Sequence, residues 1–391
     1  MKKIVVFCIA CFFLVAFVTI KKFNPKKSLT AAREQLEQRL QHFHDTLHFP
    51  RSVKADTLFA VPSRDWTSGF YAGNLWYMYE YTKDKKWEQA ARRWTKGLEK
   101  EKWNKTTHDL GFILYCSYGN GLRLTNDLKY KEVLLEGARS LSTRFRPATG
   151  TIRSWNHGKW QFPVIIDNLM NLELLFWATK VSGDSSFYKI AVTHALTTMK
   201  NHYRPDNSSY HVVEYDTITG NVISKVTHQG YANESAWARG QAWGLYGYTV
   251  AYRETKDKRF LEHAVKIADF YLNHPNMPKD KVPYWDFNAP AIPNEERDAS
   301  AAAVAASALL ELSNYVKEGT PFIKGAEQML VSLGSPAYLA KKGTNHDFIL
   351  MHSTGHKPAK SEIDTPIIYA DYYYIEALLR YEQMLKTGKI K

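Results

Sequence analysis

The sequence predicts an all-α protein, an (α/α)6 barrel in which six helical hairpins close into a toroid. Three observations carry this. Apolar, aromatic-rich runs at helical rather than alternating spacing open six times just after a short polar loop, near Trp66, Asp109, Asp167, Ser235, Asp298 and Asp364. After each of the first five comes a turn and a more charged helix. The two sets also differ in pattern: the first is hydrophobic nearly all round, as a helix buried on most faces must be, and the second keeps Lys, Arg and Glu on one side. An open helical solenoid is the alternative arrangement for such hairpins.

Taken in order, the chain begins with Lys2-Lys3, an apolar stretch from Ile4 to Ile20 broken only by Thr19, and Lys21-Lys22. A basic start and a long apolar run are the pattern of an export signal, so residues 1–27 are expected to form a signal peptide or N-terminal membrane anchor and 28–391 the folded domain. No small-x-small cleavage site follows, and the run is marginally long enough to span a bilayer, so contact with a membrane is expected only through this segment, if it is retained. Either way the domain is expected outside the cytoplasm, in the periplasm. Cys8 and Cys11 fall inside the segment, which leaves Cys116 as a small buried residue without a disulfide partner.

An amphipathic helix is expected from about Leu29 to Leu47. Outer helices follow at Trp87 to Leu98, Phe187 to Tyr203 and Phe260 to Leu272, each after a turn such as Lys83-Asp84-Lys85-Lys86 or Ser182-Gly183-Asp184. Inner helices are expected at Leu169 to Thr179, Trp237 to Tyr252, Ala299 to Leu312 and, last, Thr365 to Leu385. The net charge is +13, and without the six lysines up to Lys27 there remain 46 basic and 39 acidic residues, about +7. That balance suits an acidic ligand and equally suits a merely soluble surface. No nucleic-acid recognition module or basic helix appears, so nucleic acid is not an expected partner.

Chemistry is expected at the inner-helix openings. Asp109, Asp167, Asp298 and Asp364 all stand where Asp is a preferred helix cap. Asp298 heads a run of small residues and Asp364 precedes Thr365-Pro366, a helix start, so these two read as structural. Asp109 has His108 before it and Gly111 after it, with Gly119 and Gly121 further along, and glycines there suggest close approach of a backbone or a ligand. Asp167 follows a loop carrying Trp155, Asn156, His157 and Trp160. A third cluster lies in the longest insertion, with His211, then His228-Gln229-Gly230, then Arg239 and Trp243 four residues apart on one helix face. A cation beside an aromatic plate can hold a sugar carboxylate and its ring; equally, Arg239 could pair with a buried acid such as Glu234 and Trp243 could be core.

The segments Trp66-Thr67-Ser68-Gly69-Phe70, His108-Asp109-Leu110-Gly111-Phe112, Gly119-Asn120-Gly121, Ile166-Asp167-Asn168-Leu169-Met170, His228-Gln229-Gly230 and Arg239-Gly240-Gln241-Ala242-Trp243 follow one another in an order that resembles the unsaturated glucuronyl hydrolases of glycoside hydrolase family 88. The resemblance runs from roughly Ala32 to Tyr381. It implies an (α/α)6 barrel with no metal or organic cofactor, acting on an acidic, unsaturated oligosaccharide released by a polysaccharide lyase. It implies that Asp167 is the general acid/base and Asp109 its carboxylate partner, and that His211, Gln229, Arg239 and Trp243 contact the sugar. His108, Trp66 and, in the Met351-to-Lys357 loop, Lys357 complete the candidate contacts. That loop does not reproduce the serine-rich pattern some members use for sulfate. Three rivals remain for these residues: an unsaturated rhamnogalacturonyl hydrolase, a conventional inverting glycosidase, and a non-catalytic periplasmic sugar-binding protein.

Overall fold

The computed structural model describes residues 23–389; the apolar stretch from Ile4 to Ile20 lies outside the described residues. Outer helices α1 (Pro25–His42), α3 (Lys85–Lys96), α5 (Leu128–Ser142), α7 (Ser185–His202), α9 (Lys258–Asn273) and α11 (Thr320–Leu333) surround an inner ring. The ring consists of α2 (Ser68–Thr82), a π-helical turn Gly111–Gly119 running into α4 (Asn120–Thr125), α6 (Leu172–Ser182) behind a 3-10 turn Ile166–Asn171, α8 (Ala238–Thr255), α10 (Ala299–Leu312) and α12 (Ile368–Thr387). α12 packs against both α10 and α2, which closes the toroid.

Burial follows the two sequence patterns. Every residue of α10 is buried, and its Ala-rich face lets α8 and α12 approach closely. Outer α3 buries only Trp87, Ala91, Trp94 and Thr95, a single stripe. Close approach between inner helices needs glycine at some points: a Cβ on Gly69 would lie 2.2 Å from the Phe112 carbonyl oxygen. Gly121 faces the rings of Tyr130 and Trp76, so its close approach is to core aromatics.

Four hairpins share one two-residue connector. Lys83, Asn126, Gly183 and Lys256 end an inner helix in the left-handed conformation, and each donates its N–H to the carbonyl four residues back. The next residue is always aspartate, and Asp84, Asp127, Asp184 and Asp257 each accept a hydrogen bond from the backbone N–H two residues on, which starts the outer helix. Reversal thus takes two residues, and the hairpins stay tight.

Because all inner helices point the same way, their N-terminal loops gather at one mouth and their C-terminal ends at the other. The far end is closed by a buried polar network. Arg253 and Arg380 both donate to Glu311, and the hydroxyls of Tyr77 and Tyr246 donate to Glu376 at 2.7 and 3.0 Å. Seven short strands among the described residues, absent from the predicted architecture, decorate the mouth. β1 (His48–Lys54) and β2 (Thr57–Pro62) form a hairpin, β3 (Phe145–Arg146) pairs with β4 (Thr151–Ile152), and β5 (Pro163–Ile165), β6 (Val212–Tyr215) and β7 (Val222–Val226) form an antiparallel sheet in that order.

Most helix limits differ from expectation by one to three residues, and two of the differences have a definite local cause. α1 runs Pro25–His42 rather than Leu29 to Leu47, because Asn24 caps it, Pro25 occupies its first turn, and the chain turns at Asp45 to enter β1. α1 therefore includes Pro25, Lys26 and Lys27. α12 starts at Ile368, and Asp364 is not its cap: its φ is 49° and its carboxylate bonds His352 instead.

Candidate active site

A cavity of about 330 Å³ opens at the mouth, and both Asp109 and Asp167 line it. Trp66, His108 and Gln229 line it too, as expected, together with Trp155 and His157 of the loop before β5. They come from the segments leading into α2, α4, α6 and α8, and the positive ends of those helices face the space, which favours an anionic ligand. A second cleft of about 470 Å³, between the Asp206-Asn207 turn and helices α9 and α11, lies on the outer wall away from these groups.

Asp167 is the second residue of the 3-10 turn that follows β5, so the strand fixes its direction. It is 7% exposed, and its Oδ2 has no hydrogen-bond partner within the protein. Burial pushes its pKa up to about 7; Arg239 opposes this, and the charge of Asp109 adds to it. Asp109 is not a helix cap either, since its Oδ2 accepts from the Thr107 hydroxyl at 2.9 Å. Its Oδ1 lies 3.1 Å from His108 Nε2. His108 Nδ1 is 2.8 Å from the Ser154 carbonyl, which can only accept, so Nδ1 carries the proton. Burial holds the His108 pKa down.

His211, Arg239 and Trp243 stand behind the cavity wall. His211 Nε2 lies 3.6 Å from Asp167 Oδ2. The Arg239 guanidinium, 1% exposed, donates to Asp298 at 2.7 Å and to the carbonyls of Thr354 and Gly355. Its acid partner is thus Asp298, which also caps α10; Glu234 instead takes Arg204 and the Tyr210 hydroxyl. Trp243 is fully buried, packed on Phe112, Tyr369 and Tyr373. Gln229 donates to the Gly355 carbonyl and ties its turn to the C-terminal loop. Lys357 is placed apart from the cavity lining, its ammonium held between Glu295 and Glu296 over the ring of Trp285. Cys116 is buried and unpaired, and burial holds its thiol well above the usual range.

Sequence reading missed the clamp across the mouth. Arg51 of β1 donates twice to Glu362, at 2.7 and 2.8 Å, and once to Asp65 at 2.8 Å. Arg51 and Glu362 both line the cavity, yet they are 311 positions apart and carry no local pattern. His356 is likewise unassigned by the sequence, and His228 enters there only as part of the His228-Gln229-Gly230 segment; their rings meet at 4.5 Å on the rim, and burial with mutual repulsion lowers His228 to about 4.

Residues 41–273 match the profile of Glycosyl Hydrolase Family 88. An unsaturated glucuronyl hydrolase of Formosa agariphila is 51% identical over 343 residues, covering 86% of each chain. An unsaturated chondroitin disaccharide hydrolase of Streptococcus agalactiae is 32% identical, covering 93% of this chain and 92% of its own. Among solved structures, an unsaturated glucuronyl hydrolase specific for heparin superposes with a TM-score of 0.91 at 55% identity, covering 93% of this chain and 98% of that one. The enzyme of Bacillus sp. GL1, described as responsible for the degradation of glycosaminoglycan, gives a TM-score of 0.87 at 32% identity, covering 94% of this chain and 98% of its own.

Proposed function

Because the chain belongs to Glycosyl Hydrolase Family 88 and acts as an unsaturated glucuronyl hydrolase, a glycosidase that removes a terminal 4,5-unsaturated uronic acid, we propose that Asp167 is the group that protonates the sugar. The unsaturated ring is a vinyl ether, C4=C5 joined to the ring oxygen. A proton added at C4 leaves an oxocarbenium-like centre at C5. Asp167, as carboxylate, then takes a proton from the water that adds at C5. The hemiketal so formed opens and rearranges, and the rest of the oligosaccharide departs. Direct protonation of the glycosidic oxygen is unnecessary, which separates this route from ordinary glycoside hydrolysis.

The observation that carries the proposal is the buried Asp167 carboxyl, with no protein partner at Oδ2, on the wall of a cavity it shares with Asp109. A carboxyl with a pKa of about 7 still holds a proton when substrate arrives at neutral pH. Asp109, anchored by Thr107 and facing His108, contributes the negative charge that keeps that proton in place and balances the developing cation.

For the substrate, we infer fragments of a heparin-type glycosaminoglycan, supported by the 55% identity to a heparin-specific enzyme and by the basic balance of the chain. The apolar segment after Lys2-Lys3 supports export, with the domain acting in the periplasm. A panel of lyase-generated unsaturated disaccharides tests both reaction and preference through the loss of ultraviolet absorbance of the conjugated double bond. Heparin-derived members are expected to be consumed fastest, and saturated analogues to survive. Cleavage of a saturated analogue at a comparable rate would overturn the hydration route, and faster consumption of chondroitin-derived members would overturn the substrate assignment.

A further inference from the structure

We propose that His211 and Trp243 act on Asp167 rather than on the sugar: as neutral N–H donors they cradle the carboxylate that proton transfer leaves behind, and so assign the transferable proton to Oδ1. The inference rests on the reading of Asp167 as the acid.

The tautomer of His211 follows from its neighbours. Its Nδ1 lies 3.1 Å from the backbone nitrogen of His228 and 3.0 Å from that of Gln229. Amide N–H groups only donate, so Nδ1 presents its lone pair and the neutral ring carries its proton on Nε2. That Nε2–H has no partner elsewhere in the protein, and it faces the equally partnerless Oδ2 of Asp167. The separation of 3.6 Å is too long for a formed hydrogen bond. It is a resting distance that shortens once the carboxyl becomes an anion. The indole N–H of Trp243 is a third buried group without a formed partner, and it acts on the same carboxylate. Three buried polar groups without protein partners cost stability unless a charged state employs them.

The surroundings keep His211 neutral. The groups acting on it are His228 and His356 from the rim loops, Arg239 from α8 and His202 from α7, all of which disfavour a second proton, as does burial. Those acting on Asp167 are Arg239 from α8, Asp109 from the loop before the π-helical turn, and Trp243. His108 makes the opposite arrangement, with Nδ1 as donor, so the two histidines beside the two aspartates hold opposite tautomers.

Two substitutions separate the roles. His211→Asn keeps an acceptor for the two amides and removes the Nε2–H, while His211→Gln places an N–H near the old Nε2 and gives up the acceptor. The donor role predicts a fall in kcat of about 10- to 100-fold for His211→Asn with KM nearly constant, the range for losing a hydrogen bond to a charged group. Its alkaline pH limb moves up by about one unit, because an anion with fewer donors holds its proton longer. His211→Gln recovers most of the rate, and Trp243→Phe moves the limb in the same direction as His211→Asn. A raised KM with the limb unmoved would identify sugar contacts, and a normal His211→Asn beside an impaired His211→Gln would leave only a scaffold for the 228–229 turn; either result overturns the proposal. Nitrogen NMR of the wild-type enzyme decides it independently of variant folding: Nε2 protonated and Nδ1 bare from about pH 5 to about pH 8 is expected, and the other tautomer or an imidazolium refutes it. Retained turnover in Asp167→Asn would sink the acid assignment instead, so the two failures are distinguishable.

Discussion

Arg239 and Asp298 form an ion pair of 2.7 Å with both side chains at 1% exposure or less. One carboxylate thereby caps α10 and neutralises the cation nearest Asp167. Asp298→Asn is expected to keep the cap and release the charge. Removing one partner of a buried pair costs about 3–5 kcal/mol, reduced here by the two carbonyls that Arg239 retains. The freed cation also favours the Asp167 anion, whose pKa is about 7, so the pH above which kcat/KM falls should move down. Denaturant unfolding and a pH–rate profile check the two effects.

Asp167 carries a stability cost of predictable sign. Its pKa is about 7 when folded against 3.8 for the free group. Below about pH 4 both folded and unfolded states hold the proton and nothing is lost. As pH rises from about 4 to about 7 only the unfolded chain releases it, so stability falls, by at most about 4 kcal/mol in all, and then levels off. Asp167→Asn should therefore melt no higher than wild type at pH 4 and several degrees higher at pH 7.5, about the conditions at either end of that window. Thermal unfolding at both pH values tests this.

The two-residue connectors hold lysine where glycine is cheaper. Lys83 and Lys256 both sit at φ 59°. Left-handed backbone costs a non-glycine residue about 1 kcal/mol, so Lys83→Gly and Lys256→Gly should each raise stability by roughly that amount and leave activity unchanged. The two stand on separate hairpins, α2–α3 and α8–α9, so the two gains should add in the double variant.

Arg51 and Glu362 join the first hairpin to the C-terminal loop across the mouth. Arg51→Lys keeps the charge and loses the fork geometry. It should raise KM by about 3- to 30-fold with a smaller change in kcat, as expected for loosened binding worth about 1–2 kcal/mol. Amide exchange in residues 355–362 should rise with it. Unchanged exchange there would show that the clamp does not order the loop.

Much of this was legible in the sequence, and the remainder has definite causes. The alternation of all-round hydrophobic and one-sided helices gave the toroid, because burial on both faces of an inner helix writes itself into every residue of α10. Asp109 and Asp167 were legible as a pair because both precede inner helices and topology carries such positions to one mouth. The sheet β5-β6-β7 was not, since strands of three to five residues are too short to show a period. Asp364 looked like a cap from Thr365-Pro366, yet the chain turns at Asp364 and the helix waits until Ile368. The Arg51–Glu362 clamp and the Arg239–Asp298 pair depend on contacts far apart in the chain, which no local pattern records. Local signals set elements; ring closure sets partners.

The most direct measurement is turnover of an unsaturated disaccharide by Asp167→Asn, after its fold is verified by thermal unfolding. Placing the proton donor at this residue predicts loss of activity by a factor of about 10² to 10⁴, the usual contribution of a general acid, with the double-bond absorbance left in place. Consumption of that absorbance within about tenfold of the wild-type rate would contradict it.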